Sequence, residues 1–171
     1  RLTKFLVWFT LSLLFKGSLA IFVPVLAYIA IKQKYPGRQW VKTLATSLLA
    51  IILVSVWFHP QPDLLIWLSD LYQKRILPGE IGYLTANAFN FWWLVDPGKI
   101  LDSTLYFGFP ARVLGAVTTG FGMSLVILWL TKEVIPKRVF FALSVTALIS
   151  FLFMTRIHER YLYPFFVPAT F

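Results

Sequence analysis

Apolar residues in this chain run in long blocks separated by short polar or basic clusters. Phe5 to Phe15 is apolar, Lys16-Gly17 interrupts it, and Leu19 to Ile31 is apolar again. A single helix through both blocks would carry a lysine near its middle, which is costly in lipid. Two helices would each fall short of the roughly 20 residues a span needs. The pattern favours two short or truncated helices meeting at Lys16-Gly17, with the single helix as the alternative. Val41 to Phe58 reads as a span, ended by His59-Pro60-Gln61-Pro62. From Asp63 to Arg75 the residues Leu64, Leu65, Trp67, Leu68, Leu71 and Tyr72 recur at helical spacing, opposed by Asp63, Asp70, Lys74 and Arg75. This predicts an amphipathic helix lying in the interface, stopped at Leu77-Pro78-Gly79. Tyr83 to Val95 is too short and too rich in Asn and Trp for a lipid-facing span. An interfacial or re-entrant segment packed on protein is expected there. Asp96 to Phe109 predicts a polar loop. Ala111 to Leu130 and Val139 to Met154 read as spans, Arg156 to Pro164 as a polar stretch, and Phe165 begins a further helix.

Composition supports the bilayer as solvent. The chain is 58% hydrophobic and only 13% charged, where soluble domains average about a quarter charged residues. No soluble core of this size could bury so much apolar surface. The expected fold class is all-α: a polytopic transmembrane helical bundle of about five short spans, with interfacial or re-entrant helices, forming one domain over residues 1–171. Arg1 and Phe171 adjoin apolar runs, so the chain reads as a fragment of a longer protein.

The net charge of +9 is clustered. Lys32, Lys34, Arg38 and Lys42 surround Pro36-Gly37, and Lys132, Lys137 and Arg138 have Glu133 as their only nearby acid. Clusters between apolar runs suit cytoplasmic loops under the positive-inside rule, not nucleic-acid binding. Both loops share a side if Val41–Phe58 and Ala111–Leu130 cross and Tyr83–Val95 does not. Residues 59–110 and the neighbourhood of His158 then lie on the extracytoplasmic side. The absence of cysteine excludes disulfides and thiolate metal sites.

The densest chemistry is Arg156-Ile157-His158-Glu159-Arg160-Tyr161-Leu162-Tyr163-Pro164. In a helix, His158 and Tyr161 would share a face, as would Arg156 and Arg160. Arg and His hold phosphate through charge-assisted hydrogen bonds, Glu159 can orient an Arg or act as a base, and Tyr161 can stack on a sugar. A charged interface cap with snorkelling arginines is the competing reading. In Thr85-Ala86-Asn87-Ala88-Phe89-Asn90-Phe91-Trp92-Trp93, Asn87 and Asn90 would face one way on a helix. There they would bind sugar or tie the segment to neighbouring helices. Lys16 can neutralise a lipid phosphate or merely snorkel. Asp63, Asp70, Asp96 and Asp102 read as solvated loop or helix-cap acids. Neither a metal site nor a cofactor is expected.

The stretch His158-Glu159-Arg160-Tyr161-Leu162-Tyr163-Pro164 resembles a motif of the GT-C superfamily of membrane glycosyltransferases, where a His and an acid or Lys precede Arg, an aromatic and Leu. The likeness is to bacterial membrane proteins related to the second mannosyltransferase of glycosylphosphatidylinositol-anchor synthesis. Asn87-Ala88-Phe89-Asn90-Phe91-Trp92 resembles their Asn-Ala-x-Asn-x-Trp segment, and Phe15-Lys16 their lysine at a helix junction. The resemblance implies an integral-membrane enzyme of bacterial inner-membrane type. It would move a mannose-like hexose from a polyprenyl-phosphate donor to a glycan, lipid or protein acceptor on the extracytoplasmic face. It implies donor or phosphate binding by His158 and Arg160, with Lys16 and Arg156, supported by Glu159, Tyr161, Asn87 and Asn90. The family's catalytic Asp would lie upstream of Arg1. A transporter or flippase of lipid-linked saccharide and a non-catalytic membrane scaffold are the alternatives.

Overall fold

The structure, a computed structural model, describes residues 2–76 and 82–170. The Arg75 side chain, the expected stop at Leu77-Pro78-Gly79 and both end residues lie outside that description. The chain is mostly helical, and among the described residues three helices are long and apolar enough to cross a membrane. Its contacts form two compact units, Arg1–Ala20 with Ala30–Glu80 and Ile21–Ile29 with Ile81–Phe171.

In the first unit, α1 (Leu2–Phe15) ends where the apolar run breaks. A short 3-10 stretch, Gly17–Phe22, leads into α2 (Val23–Lys32), whose residues through Ile29 belong to the second unit. The chain thus forms two short helices around Lys16-Gly17. α3 (Gly37–Val56) packs on α1, and the Thr3 and Thr43 hydroxyls share a hydrogen bond of 2.8 Å. Such a bond suits apolar surroundings, where helices adhere through polar and small side chains. α4 (Leu64–Leu71) continues into a π-helical turn, Tyr72–Ile76, where the amphipathic pattern predicts a helix. Its Asp70 and Lys74 pair at 2.6 Å on the polar side.

α3 is built inside out by the standards of a soluble helix. Its buried residues are Thr43, Ser47 and Ser55, while Leu44, Leu48, Leu53 and Val56 are exposed. In water each outward Leu or Val forgoes about 1.5–3 kcal/mol of burial. Lipid removes that penalty, so the bilayer is the environment in which this helix is consistent.

The second unit holds α6 (Ala111–Leu130) and α7 (Pro136–Phe153), joined by the turn that carries Lys132 and Glu133. They pack on each other, and many of their buried residues are small: Ala111, Gly115 and Thr119 on α6, and Ala142, Ser144, Ala147 and Ser150 on α7. Outward-facing Val117, Phe121, Leu125 and Leu128 repeat the pattern of α3. Val25 of α2 joins Val126, Leu130 and Ala142 in one apolar cluster. At the turn, Arg138 lies 3.4 Å from Glu133 and 5.4 Å from the Trp129 ring centre. α8 (Tyr163–Ala169) begins slightly before the apolar start at Phe165 and packs on α7.

The expected polar loop over Asp96–Phe109 is instead partly ordered as a hairpin. β2 (Leu105–Tyr106) pairs antiparallel with β3 (Phe109–Pro110), and β3 runs directly into α6. Phe107 and Gly108 form the two-residue turn with φ of 53° and 81°. Positive φ at both positions is the signature of a type I′ hairpin turn, where Asn-Gly is the usual choice.

Candidate functional site

The site is assembled at the end of α6 and α7 remote from the Lys132 turn. Segment 82–87 runs between two partners. On one side Leu84 N–H donates to Ile100 O at 2.8 Å and Asp102 N–H to Gly82 O at 2.8 Å, around a Tyr83–Leu101 bridge. On the other side β1 (Thr85–Ala86) pairs in parallel with β4 (Ile157–His158), in the register Thr85 to Ile157 and Ala86 to His158. Asn87 forms a further bridge to His158. Backbone groups at the end of a membrane bundle need such partners.

This arrangement corrects two helical expectations. Asn87 and Asn90 do not share a helix face, because Asn87 is exposed with φ of 61° and Asn90 precedes α5 (Phe91–Val95) as its N-cap. Asparagine tolerates the left-handed region better than most residues. Thr85 holds the kink: its hydroxyl donates to Ala88 O at 2.7 Å and accepts from Ala88 N–H at 3.2 Å. Arg156 and Arg160 likewise do not share a helix face, because Arg156 has φ of 62°, β4 follows, and Arg160 lies in the 3-10 turn Glu159–Leu162.

Asn90 is 2% exposed and its amide is fully engaged. Nδ2 donates to Phe151 O at 3.3 Å and Met154 O at 3.2 Å, and Oδ1 accepts from Trp93 N–H at 3.3 Å. Trp92 Nε1 donates to Phe153 O at 2.6 Å. A helix leaves its last carbonyls without internal partners, and here the Asn-Ala-x-Asn-x-Trp segment supplies them for α7. Of the bracing and cavity-lining roles open to Asn90, the geometry is that of a brace.

Arg156 N–H donates to Tyr83 O and Leu84 O, and its Nε donates to Asp102 Oδ2 at 2.6 Å. The Asp102 side chain is 4% exposed, so the solvated loop acid read from sequence is a buried ion-pair partner. Asp102 O and Thr104 O also accept from Arg112 N–H and Ala111 N–H, capping the first turn of α6 where Pro110 offers no side-chain cap. Nothing in the sequence links positions 102 and 156, which are brought together only by the loop pairing.

Around this frame lie the groups free for chemistry. His158 is half-buried and meets the Tyr161 ring edge-on at 5.6 Å, while Glu159 and Arg160 are exposed. Ala88, Phe151 and Ile157 form the apolar floor, with Tyr161 and Leu162 against it. Lys16 belongs to the first unit, half-buried at the end of α1, where its N–H donates to Ser12 O at 2.9 Å. Also in that unit, His59 Nε2 and Asp63 Oδ1 are 2.7 Å apart, and the imidazole stacks on Trp67 at 4.9 Å. The His59 hydrogen bond holds the Asp63 carboxyl below its usual 3.8. In the second unit, desolvation, then the Asp96 charge and its hydrogen bond, raise the Tyr106 phenol. Among the described residues no group of three or more His, Asp or Glu could hold a metal ion.

Compared with family models, with curated proteins and with solved structures, the chain matches none.

Proposed function

We propose that this chain is the donor-binding part of an integral-membrane hexosyltransferase that uses a polyprenyl-phosphate-linked sugar. The observation that carries the reading is the β1–β4 pairing. Two segments that resemble glycosyltransferase motifs, far apart in sequence, are neighbours in the fold, with Asn87 bridged to His158. Two features support a phosphate-binding role: Arg160 is exposed, and half-buried His158 has the Tyr161 ring beside it.

α6 and α7 separate this end from the turn carrying Lys132 and from Lys137 and Arg138 in the first turn of α7. The positive-inside rule puts that turn in the cytoplasm and the motif end outside. In the reaction, an acceptor hydroxyl attacks the anomeric carbon and loses its proton to a base. The bond from that carbon to the phosphate oxygen breaks, and the polyprenyl phosphate leaves with the electron pair. Cations placed at the leaving oxygen stabilise the charge that develops there. Arg160 supplies that stabilisation as a cation and His158 as an N–H donor.

Single replacements His158→Ala and Arg160→Ala, made in the full-length protein, test the reading. Each is expected to lower transfer of labelled hexose from the polyprenyl-phosphate donor by about 100-fold, the scale of losing one donor to a developing oxyanion. Expression and melting temperature should stay near those of the parent. Near-normal transfer in both variants would sink the assignment.

A further inference from the structure

We propose that the β2–β3 hairpin is a membrane-interface anchor, its tip Phe107 seated among the headgroups and upper acyl chains of the bilayer that α6 crosses. Phe107 is 95% exposed, and Leu105 and Phe109 beside it are also exposed. An aromatic ring held this far out, in a left-handed conformation that a bulky residue adopts rarely, has no packing reason within the chain. Asn would fit the turn better if water were the surroundings.

Three observations point to lipid. First, the hairpin is continuous with a candidate span: β3 ends at Pro110 and α6 starts at Ala111. Phe107 is four residues from that start, roughly 13 Å of extended chain at most. This keeps the tip near the interfacial layer, where aromatic rings concentrate. Secondly, the exposed charges bordering the hairpin are Lys99 and Arg112. Of the nearby acids, Asp102 is paired with Arg156, while Asp96 keeps its charge beside Tyr106 OH at 3.5 Å. Lys99 and Arg112 outnumber that one carboxylate, so the border is net basic and complements phosphate headgroups. Thirdly, the hairpin base is fixed, because Tyr106 also packs against Trp92 at 5.9 Å, so the exposed tip stands on a rigid support.

The chain has no cysteine, so a single thiol can be placed at the tip. On a cysteine-free background, Phe107→Cys, and separately Leu105→Cys, would carry a nitroxide in the full-length protein in lipid nanodiscs. Gln33→Cys, on an exposed turn position, serves as the aqueous reference. Membrane seating predicts oxygen access severalfold above that of Gln33→Cys, and access of a water-soluble nickel chelate severalfold below it. Chelate access equal to the reference would overturn the proposal. So would low access to both reagents, which would place the tip against protein, either a partner or a second copy. The readout does not depend on transferase activity, so failure of this proposal is distinguishable from failure of the functional one.

Discussion

Arg156 combines three unusual properties: a left-handed backbone, a main-chain N–H shared between two carbonyls, and a guanidinium committed to a buried acid. The family resemblance implies a role for it at the donor phosphate, and its Nε donates to Asp102 Oδ2. Removing one partner of a buried pair strands the other charge, at about 3 kcal/mol or more. Arg156→Ala should therefore lower the unfolding free energy by about 3 kcal/mol in detergent denaturation. The double variant Asp102→Asn with Arg156→Gln should lose markedly less, because no charge is left buried. Equal losses in both proteins would show that the pair has no such role. A second residue-scale expectation concerns Asp63. Its carboxyl is held below 3.8 in the folded chain by His59, so ionised Asp63 stabilises the fold above that pH. The contribution is lost as pH falls through the folded value, because the protonated acid no longer accepts the bond with the same strength. Thermal melts should show a drop in stability in that acid range that is smaller in Asp63→Asn. His59 and Asp63, four apart across two prolines, were legible as chain positions but not as a pair.

Helices were the most legible elements, because apolar runs and basic breaks report them directly. α6 occupies the expected Ala111–Leu130, and α3 and α7 begin a few residues earlier than their apolar cores. Three helices reach span length among the described residues, where about five short spans were expected. The short strands were not legible, since two-residue pairings have no periodicity to read. What joins α6 to α7 is equally invisible in a hydropathy pattern. A Cβ added at Gly115 would stand 2.5 Å from Phe153 O and 3.3 Å from Trp92 Nε1. Backbone on the far side cannot yield cheaply, so Gly115→Ala should cost about 1–3 kcal/mol, the range for overpacking. It should also weaken the Trp92 bond to α7. Gly122→Ala meets only Ile149 side-chain atoms, the nearest at 2.9 Å. It should cost clearly less, and comparing the two melting temperatures checks the argument.

At the scale of the molecule, hydropathy located the long apolar helices. It did not show that segment 82–87 would be held between residues 100–102 and 157–158. Candidate residues His158, Glu159, Arg160 and Tyr161 could be picked out because charge and aromatics cluster in one polar stretch. Asp102 could not, because its partner comes from the far side of two helices. The same pairing has a consequence for biosynthesis. Thr85 and Ile157 are separated by the whole of α6 and α7, so β1 is made long before the strand that completes it. Closing so long a loop carries an entropic cost that only the packed helices can offset. The pairing that brings Asn87 to His158 is therefore a late product of folding, formed after both helices have found each other. A nascent chain halted before Ile157 would hold every residue of the Asn87–Trp92 segment and still lack the strand that β1 pairs with.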